Sequence, residues 1–86
     1  MITAIQGKMA RGAMDWSLRE VAERAGVNIN TVIRFEAGSD PKSSKRDAIE
    51  EVFLAEGFVF SLDGYSITAP KNLKPVYKQT ADREAA

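Results

Sequence analysis

At 86 residues the chain is long enough for one domain with a modest core. It has no cysteine, which excludes a disulfide framework and a thiolate metal site, and no histidine, which removes the commonest general base. Twelve Lys and Arg balance twelve Asp and Glu, so attraction to a polyanion must come from how charge is distributed.

No apolar run approaches a membrane span and the first residues lack a signal-peptide pattern, so the expected location is cytoplasmic, with no membrane partner. Residues 2 to 14 read as a first helix that Thr3 can cap. Ile5, Met9 and Ala13 form its expected inner stripe, with Ile2 at the frayed end. Gly7 and Gly12 each lower its propensity by up to about 1 kcal/mol relative to Ala, yet permit close helix packing. Asp15 closes this helix, and Trp16 is the staple residue ahead of a cap at Ser17.

Ser17 and Glu20 have the spacing of a capping box. Leu18, Val21, Ala22 and Ala25 then recur at i, i+3, i+4 and i+7, which makes one face of a second helix apolar. Gly26 ends it, Asn28 caps a third helix with Val32 and Phe35 inward, and Gly38 stops the chain again. Two short helices joined by a tight Gly-containing turn are a helix-turn-helix, which sets its second helix in the DNA major groove. The plain alternative is a helical hairpin that only builds a core. Against it stands the outer face, with Asn28, Ile29, Asn30, Ile33 and Arg34. Short amides and an arginine match base edges, and isoleucines match thymine methyls.

Residues 39 to 43 form a loop, and Ser43 or Ser44 caps a fourth helix reaching about Glu56. Ala48, Ile49, Val52 and Phe53 are its buried stripe, Glu50 and Glu51 are solvated, Asp47 complements the N-terminal dipole, and Gly57 ends it. Arg34, Lys42, Lys45 and Arg46 face only Glu36 and Asp40 in their stretch, whereas Asp47 to Asp63 holds acids and no cation. That polarity predicts one basic and one acidic face. Next, two apolar runs flank Asp63-Gly64, a strong hairpin signal. A two-residue turn pairs Leu62 with Tyr65, Phe60 with Ile67 and Phe58 with Ala69, all on one side. The default cover for that side is the chain's own core. The preferred reading adds a homodimer whose interface includes Phe58, Phe60, Leu62, Tyr65 and Ile67, because an isolated hairpin leaves open edges. Pro70 ends the second strand, and 70–86 reads as an exposed tail in which Lys71, Lys74 and Lys78 are solvated and Val76 and Tyr77 add a short contact.

The run from Met9 to Gly38 resembles the lambda-repressor-like, or Xre, family of helix-turn-helix regulators. The resemblance lies in Ser17, Val21-Ala22, Ala25-Gly26-Val27, Thr31-Val32 and Phe35-Glu36 with Gly38 closing. It covers about a third of the chain closely and reaches loosely to residue 57. The fold it implies is mainly α, a four-helix core over 1–57, with the hairpin at 58–69 and the tail at 70–86 appended. The function it implies is a transcriptional regulator of a phage, mobile element or toxin–antitoxin system, binding double-stranded DNA as a homodimer at an inverted repeat. Under its docking, Ser17, Arg19, Thr31, Lys42, Lys45 and Arg46 take phosphate-positioning roles, and Arg11 pairs with Glu36 as a structural ion pair. Leu18 departs from the pattern, which most often has Gln there to hold a phosphate; Arg19 is the nearest compensating charge. Ile29 and Ile33 also replace positions that are often polar, which shifts readout toward apolar contact.

Nothing in the chain supports an enzyme or a cofactor. Glu50-Glu51 are adjacent on a helix and so do not converge on one site. A phosphate-cradling glycine loop and a metal-ligand cluster are both missing from the sequence. The alternative to a DNA-binding regulator is a protein-interaction module, antitoxin-like or an anti-regulator target, whose hairpin or tail binds a small protein partner. On that reading DNA binding is secondary.

Overall fold

Four helices and a small antiparallel hairpin follow one another in the computed structural model, which describes residues 1–39 and 41–73. They are α1 (Ala4–Met14), α2 (Leu18–Ala25), α3 (Ile29–Glu36), α4 (Ser43–Glu56), β1 (Val59–Phe60) and β2 (Ile67–Thr68). The readings for Lys74, Val76, Tyr77 and Lys78 lie outside the described residues.

Local chemistry sets most of the boundaries. Thr3 and Gln6 form a capping box on α1, and Ser17 and Glu20 form one on α2. Gly26 takes the left-handed conformation at φ 69°, and the Val27 N–H bonds Ala22 C=O at 3.0 Å. That reversal delivers Asn28, whose Oδ1 accepts the Asn30 N–H at 2.8 Å and starts α3. The start of α4 departs from the sequence reading. Lys42, not Ser43 or Ser44, is the N-cap residue, it makes no side-chain capping bond, and no acid lies in the first turn. Asp47 enters the helix one turn too late to cap it.

α2 packs on both α3 and α4, around a core that includes Val21, Val32, Phe35, Ile49 and Phe53. Aromatic rings carry this core to the hairpin. Trp16 stacks on Phe53 at 5.6 Å, Phe58 meets Phe53 edge-on at 5.8 Å, and Phe60 stacks on Phe58 at 6.4 Å. Such pairs contribute about 0.5–1.5 kcal/mol each beyond their burial. Arg24 lies over the outer side of Trp16, 4.1 Å from the ring centroid.

The inner stripe of α1 is a correction. Ile5, Met9 and Ala13 face solvent, while Gln6, Gly7 and Ala10 are buried and Ile2 joins the core. Gln6 turns inward because the hairpin needs donors. Its amide gives hydrogen bonds to Ser61 C=O (2.8 Å) and Ser66 C=O (3.0 Å), and Thr3 Oγ1 donates to Gly64 C=O (2.7 Å). Gly7 is needed for contact with α3, since a Cβ there would collide with the Phe35 ring.

The hairpin keeps its expected register, with Val59 opposite Thr68 and Phe60 opposite Ile67, but its turn is wider. A type I′ turn on Asp63-Gly64 needs positive φ at both residues, and only Gly64 has it (φ 82°). Asp63 instead accepts from the Ser61 hydroxyl (2.6 Å) and the Tyr65 N–H (3.0 Å), which holds its carboxyl below the usual carboxylate range. Leu62 and Tyr65 therefore leave the ladder and stand exposed, as does Ala69. Phe58 is buried, and Phe60 and Ile67 pack on the core of the same chain. Phe58 thus has almost no surface left, whereas Phe60 and Ile67 keep part of theirs. Pro70 is buried and Leu73 packs on the core, so the exposed tail does not begin at 70. Glu50 is half-buried and lies 3.5 Å from the Met1 amino group, where a solvated side chain was expected.

Candidate nucleic-acid interface

The second helix of the helix-turn-helix carries its polar residues outward. Val32 and Phe35 anchor α3 in the core, which rotates Asn28, Asn30, Ile33 and Arg34 to the surface. Ile33 keeps 43% of its surface, enough for apolar contact with a base methyl. Ile29, assigned to the same face from the sequence, is half-buried and packs against the core. Ile29 therefore offers less surface for a base contact than Ile33 does. The Asn28 carbonyl oxygen is committed to capping, which leaves its amide N–H groups to face outward.

The end of α3 and the start of α4 frame a cleft of about 310 Å³. Among the described residues Thr31, Arg34, Ser39, Pro41, Lys42 and Lys45 line it, three of them cations. Thr31 is only 3% exposed and sits in the cleft wall, so it can offer a hydroxyl there but not an extended contact. Lys42, the N-cap residue of α4, makes no side-chain capping bond, and a helix start carries partial positive charge. Chemically the cleft suits an oxyanion such as a phosphodiester.

The remaining assignments separate. Arg46 lines a neighbouring cavity of about 270 Å³ with Ile2, Phe35 and Pro41, and is not grouped with Lys42 and Lys45. Ser17 and Arg19 are exposed at the start of α2, where the Ser17 hydroxyl accepts the Glu20 N–H at 3.0 Å. Leu18 is partly buried and packs against the core.

Beneath this surface, Arg11 and Glu36 meet as the resemblance implies. Arg11 Nε donates to Glu36 Oε2 (2.6 Å), Nη2 to Oε1 (2.9 Å), and Nη1 to Trp16 C=O (3.1 Å). The hydrogen bond to Glu36 raises the Arg11 pKa against a desolvation effect that lowers it, so the guanidinium stays charged. This pair clamps α3 to α1 and to the link before α2, and so fixes the angle at which the α3 surface is presented.

Sequence reasoning missed Ser39 and Pro41, which complete the cleft, and Gln6, which holds the hairpin. The cleft residues come from a loop with no periodicity, and Gln6 is polar, so an apolar stripe does not reveal it. Among the described residues no group of three or more His, Cys, Asp or Glu is placed to hold a metal, and no helix is long and apolar enough to cross a membrane. No family model, curated protein or solved structure matches the chain.

Proposed function

We propose that the chain is a sequence-specific DNA-binding transcriptional regulator, cytoplasmic and dimeric, that sets α3 in the major groove of an inverted-repeat operator. The observation that carries this reading is the cation-lined cleft beside the exposed α3 surface. A major-groove helix needs base-reading groups along its exposed side and phosphate-binding groups at its flank. Asn28, Asn30, Ile33 and Arg34 supply the first, and Lys42, Lys45 and the positive end of the α4 dipole supply the second. Arg34 belongs to both sets, since it is exposed on α3 and lines the cleft.

One observation favours a protein-interaction module instead. Leu62 and Tyr65 stand exposed at the hairpin tip, away from the cleft, and nothing in DNA recognition uses them. Selection of bound sites from a random duplex library, with the salt dependence of the winning site, separates the two. A two-fold-symmetric motif with a steep salt slope is the expected result. Weak, salt-sensitive binding with no enriched motif would overturn the regulator reading and leave protein interaction as the function.

A further inference from the structure

Within the described residues the sheet has two strands, so the outer edge of β1 is unpaired by any strand. Ser61 N–H bonds Ser66 C=O at 3.0 Å, which makes that a hydrogen-bonded pair. Antiparallel alternation makes Phe60 and Ile67 the non-hydrogen-bonded pair, and turns the N–H and C=O of Phe60 away from β2. A groove of about 330 Å³ runs along this edge, lined by Met1, Glu50, Leu54 and residues 58 to 62. Leu62 at its end is fully exposed, and Met1, Val59 and Leu54 also keep much of their surface.

The geometry points to a second copy of this chain as the occupant, joined edge to edge along β1, with Leu62 of each copy seated in the groove of the other. Three features of the surface argue for this. First, knob and hole lie on the same patch, as a two-fold interface requires. With Phe60 opposite Phe60 of the second copy, the two residues exchange a pair of N–H···O=C bonds. The same register sets Leu62 of one copy opposite Phe58 of the other, at the Leu54 end of the groove. Second, Met1, Leu54, Val59 and Leu62 each keep more than two-fifths of their surface exposed, an apolar cluster of the kind that forms the core of an interface. Third, the acid lining the groove, Glu50, lies 3.5 Å from the Met1 amino group, which offsets its charge. The choice of a second copy over a strand of another protein rests on the operator-binding reading, which requires two recognition helices. The anchor of this interface is Leu62 and the β1 backbone, not the Phe58 side chain, which is spent on the core.

Sedimentation of the full chain without DNA tests this. The wild type is expected to dimerise, and Leu62→Asp and Leu54→Lys to raise the dissociation constant roughly thirtyfold or more, as for a central anchor. Tyr65→Asp is the control, because Tyr65 lines a different cavity with Ile5, and it is expected to leave the dimer unchanged. Amide exchange at Phe60 is expected to slow as wild-type concentration rises and to stay fast in Leu62→Asp. A monomeric wild type, a dimer that Leu62→Asp leaves intact, or a dimer with a fast Phe60 amide would each overturn the interface. A monomer that still selects a DNA motif keeps the regulator reading and sinks the interface. A dimer that selects none does the reverse.

Discussion

Arg11 holds together three segments that are distant in sequence: α1, the link before α2, and the end of α3. Its side chain is 27% exposed and that of Glu36 is 10%, so the pair is screened far less than a surface salt bridge. Removing one partner leaves the other charge largely covered and without its counter-ion. Glu36→Ala is therefore expected to cost about 2–4 kcal/mol of stability, the lower part of the range for broken buried pairs allowing for partial exposure. Arg11→Lys is expected to recover little of the loss in the reciprocal position, because an ammonium cannot make the two parallel bonds to one carboxylate and also reach Trp16 C=O. Urea unfolding followed through the emission of Trp16, which is buried against Phe53, measures both. A loss at Glu36→Ala below about 1 kcal/mol would place the pair among ordinary surface bridges.

At the scale of elements, legibility follows how local the deciding chemistry is. The turn between α2 and α3 reads directly from Ser17, Glu20, Gly26 and Asn28, because each acts within a few residues of itself. The face of α1 does not. Counting apolar residues puts Ile5 and Met9 inside, but the buried positions are decided by two distant demands: the Ser61 and Ser66 carbonyls that Gln6 must serve, and the Phe35 ring that only a glycine admits. The hairpin register was legible from alternation, whereas its tip was not, since Asp63 spends its carboxylate on Ser61 and Tyr65 and the turn widens. The two glycines of α1 turn this contrast into a measurement. Gly7→Ala is expected to destabilise by about 1–3 kcal/mol through overpacking against Phe35. Gly12→Ala, where a Cβ meets nothing within 4 Å, is expected to stabilise by up to about 1 kcal/mol through helix propensity. Thermal unfolding of the two variants gives opposite signs; equal signs would mean that α1 does not lie on α3 by this face.

For the whole molecule, zero net charge is no obstacle to binding a polyanion if the charges are sorted. The cations of the cleft sit at the start of α4 and the end of α3, and Glu56 closes the other end of α4. A helix of 14 residues spans about 20 Å, roughly two Debye lengths at physiological salt, so Glu56 is screened from a phosphate at the cleft. The operator-binding reading then assigns distinct signatures to three substitutions. Arg34→Ala, on the α3 surface, is expected to lose about 1–3 kcal/mol on the selected operator and to relax specificity at one base position. Lys45→Ala is expected to weaken operator and random duplex alike, and to lower the slope of log affinity against log salt by about 1. Glu56→Gln also changes net charge by one unit, in the opposite direction to Lys45→Ala, yet is expected to leave that slope unchanged. Fluorescence anisotropy over a salt series on operator and random duplexes reads all three. Equal losses for Arg34→Ala on both duplexes would move Arg34 from base reading into the phosphate cleft that it also lines. A slope that follows net charge regardless of position would remove the cleft as the docking site, because only a localised phosphate contact distinguishes Lys45 from Glu56.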